Sequence, residues 1–185
     1  MTKLYIFGVG LIGGSIALKA RELNIFDEII GIGRIGGNSL KGLVESGVLD
    51  YSSSEIDEKI NAASLIIIAT PVAQTKLILK KIEPFLNSNT IITDVGSTKS
   101  NVMKEAKLVL KDKFSQFIGS HPIAGSEKHG ALAAKKNLFD NKNIILTPHK
   151  KNSSEQAKKL TKFWESLGGI VTNMKADDHD QIFST

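Results

Sequence analysis

A histidine at the end of a strand-like run is the residue of this sequence best placed for chemistry. The run "QFIGSHP" occupies positions 116–122 and contains His121, which has glycine, serine and proline around it rather than apolar partners. In an open α/β sheet a ligand lies beyond the carboxyl ends of the strands. Because a histidine titrates near neutral pH, His121 can accept the proton of a substrate hydroxyl while a hydride leaves the carbon that bears it.

A serine at a second strand end can orient that imidazole. The segment "TDVGSTKSN" follows another apolar run and contains Ser97. A catalytic base needs a fixed tautomer and direction, which a neighbouring hydroxyl can supply. We predict that His121 and Ser97 form a catalytic pair, although Ser97 is equally suited to be a helix N-cap. His129 and His149 have no such placement and are predicted to be surface residues.

A glycine cluster near the N-terminus forms the second chemistry-bearing pattern. Gly8, Gly10 and Gly13 have the spacing G-x-G-x-x-G between a strand-like run and a helix-like run. Gly8 permits a tight turn, Gly10 lets the backbone approach a pyrophosphate, and Gly13 lets helix and strand pack closely. The backbone N–H groups at Leu11 and Ile12 and the positive end of the helix would receive the phosphates. A structural turn without a ligand is the alternative, but spacing, strand and helix together favour a dinucleotide site.

The end of the second strand bears on the choice between two dinucleotides. An acid about 20 residues after the glycines would hold the ribose hydroxyls and repel a 2′-phosphate. This sequence has Gly33 and Arg34 there, with Asn38, Ser39 and Lys41 nearby. An arginine can pair with a phosphate through two N–H groups. We therefore predict NADP over NAD; the alternative is a solvated Arg34, with NAD held through backbone and water.

Two further strand ends carry candidate cofactor contacts. Thr70 and Pro71 in "ATPVAQT" follow a buried strand-like run, in a turn that could pass along the cofactor. Asp94 follows the next such run, where it could contact the cofactor or cap the following helix.

An alternation of strands and helices must position these residues. The strand-like runs are at 4–8, 28–33, 64–70, 90–95, 116–122, 143–148 and 168–173, and the helix-like runs are at 11–24, 38–47, 74–86, 98–111, 130–137 and 153–167. Several strand runs are continuously apolar and β-branched, as expected when helices cover both faces of a sheet. The pattern predicts a doubly wound, Rossmann-type α/β domain with a mostly parallel sheet over residues 1–173.

The last twelve residues, "MKADDHDQIFST", begin polar and become apolar where the chain stops. We predict that residues 174–185 are the start of a helix connecting to a helical domain that this chain lacks.

The composition limits the classes of partner that this protein is expected to bind. The 185 residues carry a net charge of +5, but the lysines are spread and aromatic residues are few, so we predict no nucleic-acid partner. No apolar run approaches the roughly 20 residues that span a bilayer, and the sequence enters a strand pattern at once, leaving no room for a cleavable signal. The absence of cysteine excludes disulfides and thiolate metal sites and suits a cytoplasmic protein.

Three motifs together resemble a known family. "GVGLIGGS", "TDVGSTK" and "GSHPIAGSEKHG", in this order and separation, are similar to the nucleotide domain of prephenate and arogenate dehydrogenases of tyrosine biosynthesis. The later "DDHDQ" resembles the segment where that domain passes into a helical dimerisation domain. The resemblance covers essentially the whole chain, and its histidine-containing block is the most specific part.

The resemblance implies oxidative decarboxylation of prephenate to 4-hydroxyphenylpyruvate with NAD or NADP. By matching motif positions, His121 would accept the hydroxyl proton or its hydrogen bond, with Ser97 in support. Glu127 and Ser126 would contact substrate or gate its entry. The resemblance also implies a homodimer formed through the helical domain, so that this chain alone would bind cofactor with little or no turnover.

Other functions remain open from the sequence. Arogenate is the alternative substrate within the family, giving tyrosine directly. A dehydrogenase of β-hydroxyacids or imino acids is less consistent, since such enzymes usually have a lysine at the catalytic position. A regulatory module that binds NADP without catalysis is a different class, and it predicts that replacing His121 leaves function intact.

Overall fold

The structure is a computed structural model that describes residues 2–33, 38–124 and 130–183. Its strands are β1 (Lys3–Phe7), β2 (Glu28–Ile32), β3 (Tyr51–Ser53), β4 (Leu65–Ile68), β5 (Ile91–Asp94), β6 (Gly119–Pro122), β7 (Asn143–Thr147) and β8 (Ile170–Asn173). Its helices are α1 (Leu11–Glu22), α2 (Asn38–Glu45), α3 (Thr75–Ile82), α4 (Ser100–Leu110), α5 (Ser154–Ser166) and α6 (Ala176–Phe183).

Five strands form a parallel sheet in the order β3-β2-β1-β4-β5. The chain moves outward from β1 to β3 and then returns to the other side of β1, so the strand order reverses between β1 and β4. A crevice at the carboxyl ends of the strands is expected at such a reversal. The candidate site residues lie along this carboxyl edge of the sheet.

A second sheet adjoins the first and carries His121. It has the order β6-β7-β8, with β6 and β7 antiparallel and β7 and β8 parallel. A parallel bridge between Ile92 and Phe117 joins β5 to the segment just before β6. The carboxyl end of β6 therefore lies at the same edge as the ends of β4 and β5.

Apolar side chains alternate between the two faces of the main sheet, and each face is covered by helices. Leu4 and Ile6 of β1 belong to one buried cluster, and Tyr5 and Phe7 belong to the other. Residues of α1 and α5 fill the first cluster, and residues of α3 and α4 fill the second. The prediction of a doubly wound, mostly parallel α/β domain is confirmed.

One local prediction is wrong, and one short strand was not predicted. The predicted helix at 130–137 is only a short 3-10 turn, Ala131–Ala133. Its alanine and lysine residues have good helix propensity, but Leu132 is almost fully exposed and offers no apolar face to bury. The short strand β3 was not predicted, since Tyr51–Ser53 has no buried apolar residue and is only a sheet edge.

The tail is helical as predicted, but α6 packs against this same domain. Its buried residue is His179, and its neighbours include α4 and β7. The division between residues 1–173 and 174–185 stays a prediction. Within the described ranges, none of the helices has both the length and the apolar character needed to cross a membrane.

Candidate active site

The glycine turn after β1 has the conformation that its spacing predicts. Gly8 has a φ of +85°, and a Cβ there would lie 2.8 Å from the carbonyl oxygen of Ala69. A Cβ on Gly13 would lie 2.2 Å from the carbonyl oxygen of Gly8, so only glycine lets α1 approach the turn this closely. A Cβ on Gly10 would meet no atom of the other described residues within 4 Å. The space beside Gly10 is therefore open to a ligand.

The N-terminus of α1 is suited to bind an anion. Its N-cap is Gly10, which supplies no side-chain hydrogen bond, and its first turn holds no acidic residue. The N–H groups at Leu11 and Ile12 are among the four that a helix leaves without an internal partner, while their side chains pack against the apolar cluster. A phosphate can accept from these donors at the positive end of the helix.

A cleft of about 1010 Å³ extends from this turn across the ends of β1, β2 and β4. Its lining includes Gly8, Gly10, Gly33, Thr70 and Pro71. The volume is at the upper end of the roughly 300–1,000 Å³ common for ligand pockets.

One polar atom in this cleft has no hydrogen-bond partner among the described residues. The side-chain oxygen of Thr70 is buried, and no described residue forms a hydrogen bond with it. Buried hydroxyl groups are normally paired, because an unpaired one costs free energy. The lone Thr70 oxygen, the open space at Gly10 and the uncapped α1 together fit a nicotinamide dinucleotide.

Asp94, predicted to contact the cofactor, is occupied by the chain itself. It is almost fully buried, and its carboxylate forms an ion pair with the equally buried Lys99. It also accepts hydrogen bonds from the N–H groups of Gly96 at 2.9 Å and Ser120 at 3.3 Å. The Lys99 Nζ donates in addition to the Ser120 carbonyl at 2.8 Å. Asp94 does not line the cleft, and the pair ties the end of β5 to β6.

His121 lies near the carboxyl end of β6 and is half-buried. Its Nδ1 is 2.8 Å from Nε2 of His179 on α6. Within residues 2–33, 38–124 and 130–183, its Nε2 has no hydrogen-bond partner. Burial is the main cause that lowers the pKa of His121 to about 4, and the nearby His179 and Lys99 lower it further. The imidazole is therefore neutral at physiological pH.

His179 is held in turn by its neighbour Asp180. The ring atom Nδ1 of His179 is 2.8 Å from Oδ1 of Asp180. That carboxylate also accepts hydrogen bonds from the backbone N–H groups of Lys99 at 2.7 Å and Ser100 at 2.8 Å, at the start of α4. Burial raises the pKa of Asp180, but the hydrogen bonds from His179 and the two N–H groups outweigh it and hold the pKa at about 2.

The predicted partner of His121 is exposed. Ser97 lies in the turn between β5 and α4. In the part of the chain that the structure describes, no hydrogen bond joins Ser97 to His121, whose Nδ1 contacts His179. Arg34, Ser126, Glu127 and His129 lie outside the described residues.

His149, predicted to be a surface residue, is only partly exposed and is paired within the fold. Its ring stacks on Phe114, with centroids 3.9 Å apart and planes at 5°. Its Nε2 is 3.1 Å from the carbonyl oxygen of Phe117, which accepts the hydrogen bond. Burial lowers the pKa of His149. His149 therefore packs at the end of β7, and its ring is held by Phe114 and by the carbonyl of Phe117.

Comparison with known proteins decides the family. The sequence model of the family described as "Prephenate dehydrogenase, nucleotide-binding domain" matches residues 16–173. The prephenate dehydrogenase of Bacillus subtilis (strain 168) is 36% identical over 182 residues, which cover 98% of this chain and 48% of that protein. The chain belongs to the prephenate dehydrogenase family. The resemblance read from the three motifs is thereby confirmed.

Solved structures of this family have the same fold. The prephenate dehydrogenase of A. aeolicus, in complex with hydroxyphenyl propionate and NAD+, has a TM-score of 0.91 and 32% identity, covering 100% of this chain and 64% of that one. The arogenate dehydrogenase of Synechocystis has a TM-score of 0.88 and 31% identity, covering 98% of this chain and 62% of that one. The chain spans about half the length of the curated relatives it matches.

Sequence reasoning missed His179 and Asp180. The segment "DDHDQ" was assigned to a connection rather than to the site. A signal was present, because Asp177 and Asp180 are three residues apart and lie on one face of a helix. Both face α4, where Asp177 accepts from the Ser100 hydroxyl at 2.7 Å.

Proposed function

We propose that this chain is the nucleotide-binding part of an NAD(P)-dependent dehydrogenase that converts prephenate to 4-hydroxyphenylpyruvate in tyrosine biosynthesis. Membership of the family supports the reaction class. The observation that carries the proposal is His121, a neutral imidazole at the ligand-binding edge whose Nδ1 is engaged by His179 while Nε2 has no partner among the described residues.

The residues of this chain bind and orient, and the cofactor, when bound, accepts the hydride. The glycine turn and the start of α1 hold the pyrophosphate, and the Thr70 hydroxyl supplies one further hydrogen bond inside the cleft. His121 Nε2 takes the hydrogen bond or proton of the substrate hydroxyl, so that electron density on this oxygen rises as the hydride leaves the ring carbon. Carbon dioxide is lost and the ring becomes aromatic. The product is a phenol, so His121 returns the proton to the same oxygen.

Replacing His121 in the full-length enzyme tests this role. We expect His121→Ala to lower kcat by on the order of 10²- to 10⁴-fold, the usual contribution of an acid–base group, with the Kd for NAD(P) unchanged. Steady-state kinetics with prephenate and calorimetric titration with cofactor measure the two effects. Full turnover in His121→Ala would contradict this role, whereas cofactor binding without any turnover in the unaltered full-length protein would support a module that binds the nucleotide without catalysis.

Arogenate is the second candidate substrate. One of the similar solved structures is an arogenate dehydrogenase, and a relative at 28% identity is named cyclohexadienyl dehydrogenase. Measuring kcat/KM of the full-length enzyme with each compound decides between them.

We further propose that NADP is preferred over NAD. Gly33 lines the cleft, and an acid that would repel a 2′-phosphate is missing from the end of β2. We expect NADP+ to bind more tightly than NAD+ to this chain, and Arg34→Ala to remove the difference. Lys41→Ala is the control for the loss of one positive charge nearby. Equal or tighter binding of NAD+ by the unaltered chain would contradict the role of Arg34.

The remaining predictions belong to the complete protein. They are the support of His121 by Ser97, the contacts of Ser126 and Glu127 with substrate, a homodimer formed through a helical domain, and a cytoplasmic location.

A further inference from the structure

We propose that His179 and Asp180 are positioning residues that hold His121 in the tautomer protonated at Nδ1, which leaves Nε2 bare to meet the substrate hydroxyl. The role in turnover rests on the proposed function, whereas the tautomer is a property of this chain alone.

The order of hydrogen bonds along the three side chains sets the position of each proton. An ionised carboxylate can only accept, so Nδ1 of His179 donates to Oδ1 of Asp180 across 2.8 Å. In the neutral form of His179 the single proton is then on Nδ1, so Nε2 must accept. His121 therefore donates from Nδ1 across 2.8 Å. Since a neutral imidazole carries a single N–H, Nε2 of His121 is left as the acceptor.

Asp180 is itself fixed by α4, which makes the arrangement rigid. The N-terminus of α4 has no side-chain cap of its own. The two oxygens of Asp180 take that place, since Oδ1 accepts from the Lys99 N–H and Oδ2 from the Ser100 N–H. One carboxylate thus caps α4 and orients His179, and the buried His179 ring lies 5.0 Å from the His121 ring at an angle of 66°.

The charged groups around His121 are consistent with a neutral ring. Burial is the main cause that lowers its pKa, the charge of Lys99 lowers it further, and Asp180 raises it. When Nε2 takes a proton during turnover, the imidazolium keeps its Nδ1–H on His179. The Asp180 carboxylate then offsets the new positive charge through His179, as the orienting carboxylate does in a catalytic triad.

Long-range ¹H–¹⁵N NMR of the histidine side chains in this chain tests the tautomer. We expect His121 to be protonated at Nδ1 near pH 7, and the Nε2–H form to rise in Asp180→Asn. Asp177→Asn is the matched control, since Asp177 contacts the same turn of α4 through the Ser100 hydroxyl but does not contact His179. An Nε2–H form in the unaltered chain, or an equal response in both variants, would overturn the proposal.

Kinetics of the full-length enzyme test the consequence. We expect Asp180→Asn to lower kcat at least tenfold with KM nearly unchanged, an effect of the size seen for outer residues that orient a ligand, and Asp177→Asn to retain kcat. His179→Leu should lose kcat, and His179→Gln should recover part of it, because its amide oxygen can accept from Nδ1 of His121. If Asp180→Asn does not fold, the comparison of His179→Leu with His179→Gln still tests the positioning role.

The two hypotheses fail differently. An enzyme without turnover of prephenate or arogenate, but with His121 protonated at Nδ1, would contradict the proposed function only. Normal turnover in Asp180→Asn and in His179→Leu would contradict the positioning role and leave the proposed function standing.

Discussion

Thr70 follows β4 and Asp94 ends the neighbouring β5 at the same edge of the sheet, yet their surroundings differ. The carboxylate of Asp94 is engaged by Lys99 and two backbone N–H groups. The hydroxyl oxygen of Thr70 is buried without a partner in the described chain. A bound ligand can supply the hydrogen bond that Thr70 lacks, so Thr70 is the better candidate for cofactor recognition.

Replacing Thr70 by valine separates binding from stability. Thr70→Val keeps the shape and removes an unpaired buried oxygen, so the free energy of unfolding of the free chain should be unchanged or higher. The Kd for NAD(P) should rise roughly fivefold to tenfold, which corresponds to one hydrogen bond of about 1 kcal/mol. Calorimetry and urea unfolding measure the two quantities. Thr70→Ser retains the hydroxyl and should bind normally; tight binding by Thr70→Val would remove Thr70 from the site.

At the scale of elements, the turn between β1 and α1 does two jobs with different glycines. Gly13 is needed for contact inside the protein, because an added Cβ would collide with the backbone of Gly8. Gly10 is surrounded by open space, and its φ of −92° lies outside the left-handed region. Packing therefore explains Gly13, while the open space beside Gly10 leaves room for a ligand.

Alanine at these two positions should give different losses. We expect Gly13→Ala to lower the free energy of unfolding by about 1–3 kcal/mol or more, the cost of overpacking a tight contact, and to abolish dinucleotide binding. Gly10→Ala should bind NAD(P) weakly while its thermal midpoint stays close to that of the unaltered chain. Thermal unfolding and titration of both variants check this. Unimpaired binding by Gly10→Ala would show that the pyrophosphate lies elsewhere.

At the scale of the whole molecule, α6 closes the domain by joining elements that are distant in sequence. Asp180 reaches the start of α4, and His179 reaches β6. The native pKa of Asp180 is held at about 2, below its ordinary value of 3.8, and that of His121 is lowered from 6.5 to about 4. In both cases the unfolded chain binds a proton at a higher pH than the native chain does.

The stability of the molecule should therefore fall as the solution becomes acidic. Between about pH 6.5 and pH 4, His121 is protonated in the unfolded chain but not in the native chain, so the free energy of unfolding falls over this range. Between about pH 4 and pH 2 the same difference holds for Asp180, and the free energy of unfolding falls further. Urea unfolding of the chain and of Asp180→Asn at pH 7, 4 and 2.5 measures the effect. The difference between the two proteins should be largest at pH 7 and shrink below pH 4. A constant difference would show that the charge of Asp180 does not stabilise the fold.

Much of the fold and part of the site follow from local sequence. Continuous β-branched runs separated by amphipathic runs specify the strands and helices of a parallel sheet, and the spacing of Gly8, Gly10 and Gly13 specifies the turn. These signals are local because backbone conformation and burial of a strand or helix depend on residues close in the chain. His121 could be selected in the same way, from its place at a strand end.

Only the tertiary structure determined which side chains of the site contact each other. His121 and His179 are separated by 58 positions, and Lys99 and Asp180 by 81. No local pattern encodes such pairs, because they exist only after α6 docks against α4. For the same reason the sequence did not reveal that Asp94 is a buried ion-pair partner of Lys99, or that residues 130–137 lack their predicted helix. The residue types that do the chemistry are thus determined by the sequence, while long-range packing determines which of them meet.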